Sequence, residues 1–130
     1  MICVDSDCII DFLKGKREAV EIINIYKDEL VTTELNLFEI YFGIYQKKDF
    51  SIGEKRSADE FFNSLQVLPF DKECGKSASK ILASQMRKGK MSNQNDVLII
   101  SILEKNEIPS IITKNVKHFS NIHGLKVVSY

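Results

Sequence analysis

The stretch MICVDSDCIIDFL, residues 1–13, decides how the chain begins to fold. Ile2, Cys3 and Val4 are apolar without alternation, the pattern of a strand covered on both faces. The run stops on Asp5. Asp7 to Leu13 then reads as a short helix, with Ser6 as its N-cap and Gly15 as its stop. A buried strand, a turn and a helix open a βα unit. In an open parallel sheet, ligands bind beyond the carboxyl ends of the central strands, where the strand order switches. A carboxylate at the end of a fully buried strand therefore stands where such folds keep their chemistry. Asp5 would otherwise cap the helix, but Ser6 already offers a cap.

Outward from this unit the chain alternates short apolar runs with helical ones. Arg17 to Tyr26 is predicted helical and Leu30 to Thr33 a strand. Leu35 to Lys48 is helical and nearly apolar all round. Residues 49–53 form a loop, Glu54 to Leu65 a helix and Val67 to Phe70 a strand. Asp71 caps a helix from Lys72 to about Lys88, ended by Gly89. A helix from Asn93 to Lys105, a strand over Ser110 to Thr113, a turn containing Asn115 and a last strand over Lys126 to Ser129 complete the pattern. Strands alternating with helices give a single α/β domain over residues 1–130, with a mostly parallel sheet.

Bulk properties select no partner. Lys plus Arg and Asp plus Glu number 18 each, so the net charge is zero and only a local patch would attract nucleic acid. Cys3, Cys8 and Cys74 are odd in number and form no C-x-x-C pair, which argues for buried reduced thiols over a disulfide framework or a zinc site. No basic segment precedes an apolar one at the start. The apolar run Val97 to Leu103 is too short to cross a bilayer. A soluble, cytoplasmic protein is expected.

Asp96 lies in the first turn of the helix containing NDVLIISIL. Its helical neighbours Ile99, Ile100 and Leu103 are apolar, so this carboxylate heads a buried stripe. The helix dipole explains its position along the helix but not its face. Glu39 shares its face with Asn36, Gly43 and Gln46, which periodicity alone reads as a solvated stripe. Against this, Gly43 leaves open space beside the carboxylate, and glycine in mid-helix costs roughly 1 kcal/mol relative to alanine. Asn115 alone reads as a turn or cap residue. Acids converging on a buried strand end cannot all ionise unpaired. One of them stays protonated, or a divalent cation such as Mg²⁺ or Mn²⁺ neutralises them. His118 and His123 lack the spacing of a helical metal pair and read as surface or turn histidines.

Four segments, VDSDCIIDFL, VTTELNLFEIYFGI, NDVLIISIL and IITKNVKHFSNIHGL, occur in an order and spacing that resembles the PIN-domain ribonucleases, specifically VapC toxins of type II toxin–antitoxin pairs. The resemblance covers nearly the whole chain. It implies a Rossmann-like parallel sheet flanked by helices, metal-dependent cleavage of RNA, a homodimer and neutralisation by a VapB-like antitoxin. By this match Asp5, Glu39 and Asp96 are the catalytic acids and metal ligands. Asn115 takes the fourth catalytic corner, where relatives carry Asp or Asn. Asp7 stands where many relatives have Asn, and the sequence leaves open whether it adds an acid to the site or caps the helix. Hydrolysis by metal-activated water needs no protein nucleophile, in keeping with the lack of a Ser/His or Cys/His constellation.

Lys72, Lys76 and Lys80 fall at helical spacing and read first as a solvated face. Lys114 and Lys117 flank the Asn115 turn and are candidates to meet phosphate. DSDCI also resembles the nucleophile motif of haloacid-dehalogenase-type phosphatases, with Asp5 as the nucleophile, but no later Lys and paired-acid motif follows. A receiver domain lacks its phosphoacceptor here. A non-catalytic interaction module is the remaining alternative. The Leu35 to Tyr45 helix carries more apolar surface than one sheet covers, which favours a homodimer. A partner segment is expected near the acidic groove, presenting Arg or Lys to the carboxylates.

Overall fold

The computed structural model describes residues 1–90, 93–120, 122 and 124–130; His123 lies outside them. In chain order the elements are β1 (Ile2–Val4), α1 (Ser6–Leu13), α2 (Arg17–Tyr26), β2 (Leu30–Thr33), α3 (Glu34–Tyr45), α4 (Ile52–Asn63), β3 (Gln66–Leu68), α5 (Lys72–Arg87), α6 (Gln94–Lys105), β4 (Ser110–Ile112), α7 (Val116–Phe119) and β5 (Lys126–Val128).

The strands form one sheet in the order β3-β2-β1-β4-β5, and every pairing is parallel. The expected mostly parallel sheet is therefore parallel throughout its described strands. β1 is central and buried at all three residues, as its unbroken apolarity predicts. From β1 the chain builds outward to β2 and β3 on one side, then returns to β4 and β5 on the other. The order thus switches beside β1, and Asp5 continues β1 into the crevice, its N–H donating to the Ile112 carbonyl over 3.0 Å.

Strand residues alternate between two cores. Ile2, Val4 and Ile112 face Ile9, Ile23, Ile40, Ile44, Phe61 and Phe62, which come from α1 to α4. Cys3, Val31 and Ile111 face the other way, onto Cys74 of α5, Ile99, Ile102 and Leu103 of α6, and Phe119 of α7. The cysteines are free and buried. Gly15 and Gly89 sit at φ +75° and +69°, the left-handed conformation that lets a chain leave a helix; both were expected as helix stops. Asp71 caps α5 by accepting from the Cys74 N–H.

Three local expectations change. Ser6 is not the cap of α1: Asp5 occupies that position without a side-chain cap bond, because both its oxygens are engaged elsewhere. The Asn115 turn continues into the short helix α7, whose Phe119 fills the second core. The apolar helix α3 ends at Tyr45 and not Lys48. None of the helices is long and apolar enough to cross a membrane among the described residues.

Candidate active site

Asp5 is 7% exposed and has a fixed partner on each oxygen. Its Oδ1 accepts from Asn36 Nδ2 at 3.0 Å. Its Oδ2 accepts from Thr113 Oγ1 at 2.8 Å. The threonine arrives from the end of β4, so the site is built across the switch in strand order. Burial pushes the Asp5 carboxyl up to about 6; the Thr113 bond opposes this, and the charges of Asp7 and Glu39 add to it. Desolvation and like charge act together here.

Asp7 is anchored to the same turn. Its Oδ2 accepts from the Lys114 N–H at 2.9 Å and from Thr113 Oγ1 at 3.1 Å. Thr113 has one hydroxyl hydrogen for both carboxylates and also accepts from the Asn115 N–H at 3.0 Å. Asp7 therefore neither caps α1 nor stands loose: it ties α1 to the β4–α7 turn and adds negative charge beside Asp5.

Glu39 comes from α3. It is half-buried, and its Oε1 accepts from Ser6 Oγ at 2.9 Å. The stripe it shares with Asn36 is not solvated, since Asn36 is fully buried. Burial raises the Glu39 carboxyl; the Ser6 bond opposes this, and Asp96 and Asp7 add to it. A side chain begun at Gly43 would meet nothing within 4 Å, so the space expected beside this carboxylate exists. Gly43 and Glu39 line a groove of about 500 Å³ with Ile10, Leu13, Ile40 and Ile44.

Asp96 comes from the first turn of α6, where Asn93 caps the helix by accepting from the Asp96 N–H at 3.3 Å. Its neighbours Ile99, Ile100 and Leu103 are buried. Burial raises its carboxyl too, opposed by His118. His118 Nδ1 lies 2.9 Å from Asp96 Oδ2. His118 is exposed, as expected of a surface histidine, and the short helix α7, not expected from the sequence, brings its ring to the acid. Asn115 is exposed at the start of α7 and makes no side-chain cap bond. Lys114 is bonded to Asp11 while its side chain stays half-exposed. Lys117 stays exposed, and Lys72, Lys76 and Lys80 form the exposed face expected of them.

The structure thus brings Asp5, Asp7, Glu39 and Asp96 into one field of mutual repulsion. Asn36, Thr113, Ser6 and His118 hold them there, and none of these four was read as functional from sequence. The sequence carries one signal: the polar Thr32 and Thr33 close a buried strand, and Asn36 follows in the first turn of α3. The donor set fits a hard divalent cation in kind, since it is all carboxylate oxygen with charge left to neutralise. Among the described residues, no three His, Cys, Asp or Glu side chains lie close enough together to hold one ion.

A sequence profile of the PIN domain matches residues 2–125. The chain belongs to the PIN domain family. No curated protein matches it by sequence. Among solved structures it is similar to VapBC2 from Rickettsia felis bound to a promoter DNA fragment, at 19% identity and a TM-score of 0.84, covering 100% of this chain and 99% of that one. It is similar to VapBC-1 from nontypeable Haemophilus influenzae, at 21% identity and a TM-score of 0.78, covering 99% and 98%. It is also similar to VapC20 of Mycobacterium tuberculosis, described as a sarcin–ricin loop cleaving toxin, at 11% identity and a TM-score of 0.64, covering 85% and 87%. The PIN match leaves the phosphatase and receiver readings without support.

Proposed function

We propose that this PIN domain is the toxin of a VapBC-type toxin–antitoxin pair, a Mg²⁺- or Mn²⁺-dependent endoribonuclease. The observation that carries the reading is the link from Asp5, at the end of β1 and the switch in strand order, through Asn36 and Ser6 to Glu39 of α3, with Asp96 of α6 near enough for its charge to raise Glu39. Asp5, Glu39 and Asp96 would hold the metal. A bound divalent cation supplies a water activated for attack and relief of charge on the phosphodiester. The chain's own residues do the rest. Thr113 and Asn36 fix both oxygens of Asp5. Ser6 turns Glu39 toward the site, and His118 orients Asp96. Asn115, exposed at the start of α7, would serve as the fourth catalytic corner, and the exposed Lys117 would meet the RNA backbone.

Two partners belong to this reading. The groove beside Glu39 is apolar on most of its wall, and it suits a VapB-like segment that presents Arg or Lys to the carboxylates. The exposed Phe38, Phe42 and Tyr45 of α3 suit a second copy of the chain. Likeness to VapBC complexes and to an RNA-cleaving toxin supports both the class of substrate and the antitoxin.

The test is cleavage of single-stranded and stem-loop RNA by the purified protein, with Mg²⁺, with Mn²⁺ and with excess EDTA. Cleavage with metal, lost in EDTA and in Asp5→Asn, is expected. Undiminished cleavage in EDTA overturns the metal-dependent assignment.

A further inference from the structure

Asn36 has no exposed surface, like Thr33 and Thr113 beside it, and its bonds assign its amide one orientation. Its own N–H donates to Thr33 Oγ1 at 3.2 Å, the bond that caps α3. Having accepted there, the Thr33 hydroxyl points its hydrogen at Asn36 Oδ1, 2.7 Å away. The amide oxygen thereby accepts from Thr33, and a flipped amide would turn that oxygen onto the ionised Asp5 carboxylate, which can only accept. Both amide hydrogens must face the other way. One goes to Asp5 Oδ1 and the other to Ser6 Oγ, each over 3.0 Å. Ser6 has then accepted, and its own hydrogen goes to Glu39 Oε1 at 2.9 Å.

We infer that Thr33, Asn36 and Ser6 form a one-way hydrogen-bond chain whose function is to set Glu39 relative to Asp5, with Asn36 and Ser6 as positioning residues for the two carboxylates. The inference rests on the ribonuclease reading for its consequence, not for its geometry. Each donor in the chain has spent its hydrogens, so the register of Asp5 and Glu39 is fixed before any ligand arrives. The chain also explains why a polar amide is tolerated in the interior of α3: a buried amide with all its bonds made specifies one arrangement, whereas one with a bond missing is costly. Partners that orient metal-binding side chains typically contribute roughly 10- to 100-fold to affinity or activity.

The experiment uses wild type, Ser6→Ala, Ser6→Thr and Asn36→Asp. Ser6→Ala removes one link at a half-buried position and is chosen to fold; Ser6→Thr restores the hydroxyl. Side-chain amide NMR reads the geometry without metal. In wild type both Asn36 amide hydrogens exchange slowly with water and resonate apart. In Ser6→Ala the hydrogen that faced residue 6 shifts and exchanges faster, while its twin toward Asp5 keeps its position. Mn²⁺ affinity by calorimetry and kcat for RNA then fall about ten-fold in Ser6→Ala, with KM for RNA little changed, and Ser6→Thr recovers most of both. Asn36→Asp, which loses both donors, loses more. Unchanged Asn36 resonances in Ser6→Ala overturn the chain itself. Shifted resonances with wild-type Mn²⁺ affinity and kcat overturn its positioning role. A wild type that binds no Mn²⁺ overturns the metal reading alone, and the amide resonances still decide the chain.

Discussion

His118 Nδ1 lies 2.9 Å from Asp96 Oδ2, which joins the four-residue helix α7 to the first turn of α6 beside the acid cluster. A ring nitrogen that holds a carboxylate by one N–H orients it and raises its worth as a ligand. Both the neutral Nδ1–H ring and the imidazolium can donate that bond. His118→Ala is expected to lower RNA cleavage roughly ten-fold, while His118→Asn, whose amide nitrogen falls near the place of Nδ1, retains most of it. Equal activity of all three proteins in a single-turnover assay removes His118 from the site.

Asp96→Asn tests the acid itself. Its carboxyl is raised by burial despite His118, and its charge raises Glu39 in turn. Replacing it by the near-isosteric amide keeps an oxygen for the His118 bond and removes the repulsion. In EDTA the variant should melt no lower than wild type. Mg²⁺ should raise the wild-type melting temperature, as a ligand of the folded state does, and raise that of the variant less. An acid serving only the helix dipole predicts the reverse in EDTA, a loss of a few tenths to about 1 kcal/mol, with the Mg²⁺ response intact.

The elevated Asp5 carboxyl makes metal-free stability depend on pH, with a definite sign. Its carboxyl sits at about 6 in the folded chain against 3.8 otherwise. Between those values the native state holds the proton more tightly than the unfolded state. Stability from this group therefore falls as pH rises from about 4 to about 6, and is level above. A shift of about two units corresponds to the order of 3 kcal/mol. Glu39 and Asp96, also raised, act in the same direction. In EDTA, Asp5→Asn should match wild type near pH 4 and exceed it near pH 7 in urea unfolding. A wild type that gains stability across this window would show that the buried cluster stores no repulsion.

Phe38 and Phe42 stack at 5.8 Å between ring centroids and are 57% and 59% exposed. Two aromatic rings one turn apart on the outer face of a helix form a patch suited to a second copy. Phe42→Glu should convert a dimer to a monomer in light scattering at micromolar concentration, with cleavage chemistry judged separately. A wild type that is already monomeric there removes the dimer.

Much of this arrangement is legible in the chain because burial leaves a pattern. Ile2, Cys3 and Val4 announce a central strand, and the strand then predicts where Asp5 must stand. Asp96 shows itself by heading an apolar stripe. Glu39 does not: its companion Asn36 looks like a solvent residue until the fold supplies Thr33, Asp5 and Ser6 around it. Long-range bonds of this kind have no sequence period. Ser6 was misread for the same reason. A serine at a helix start reads as a cap, and only the approach of α3 reveals that its hydroxyl serves Glu39. His118 depended on α7, four residues long and so without a periodic signature.

Asp11 carries the last prediction. It lies on α1, 5% exposed, inside the segment VDSDCIIDFL but outside the set of acids read as catalytic. Tyr130 Oη donates to its Oδ2 over 2.8 Å, and Lys114 bonds the same oxygen. Lys16 Nζ lies 3.1 Å from Oδ1. Burial pushes this carboxyl up, but Lys114, Tyr130 and Lys16 outweigh it and hold it down to about 2. The sign is thus opposite to that of Asp5. The stability Asp11 contributes is present above about 4 and is lost as pH falls toward 2. The shift corresponds to the order of 2 kcal/mol. Asp11→Asn should lose about that much at pH 7 and little near pH 2. Tyr130→Phe should lose about 1 kcal/mol, the typical worth of one bond. In the double variant the two losses should fall short of their sum, because both act on one carboxylate. The effect reaches the active site through Lys114, whose side chain is held by Asp11 while its N–H holds Asp7 at 2.9 Å. Urea unfolding of the four proteins at pH 7 measures the coupling. Strict additivity would mean that Tyr130 and Asp11 stabilise the chain separately.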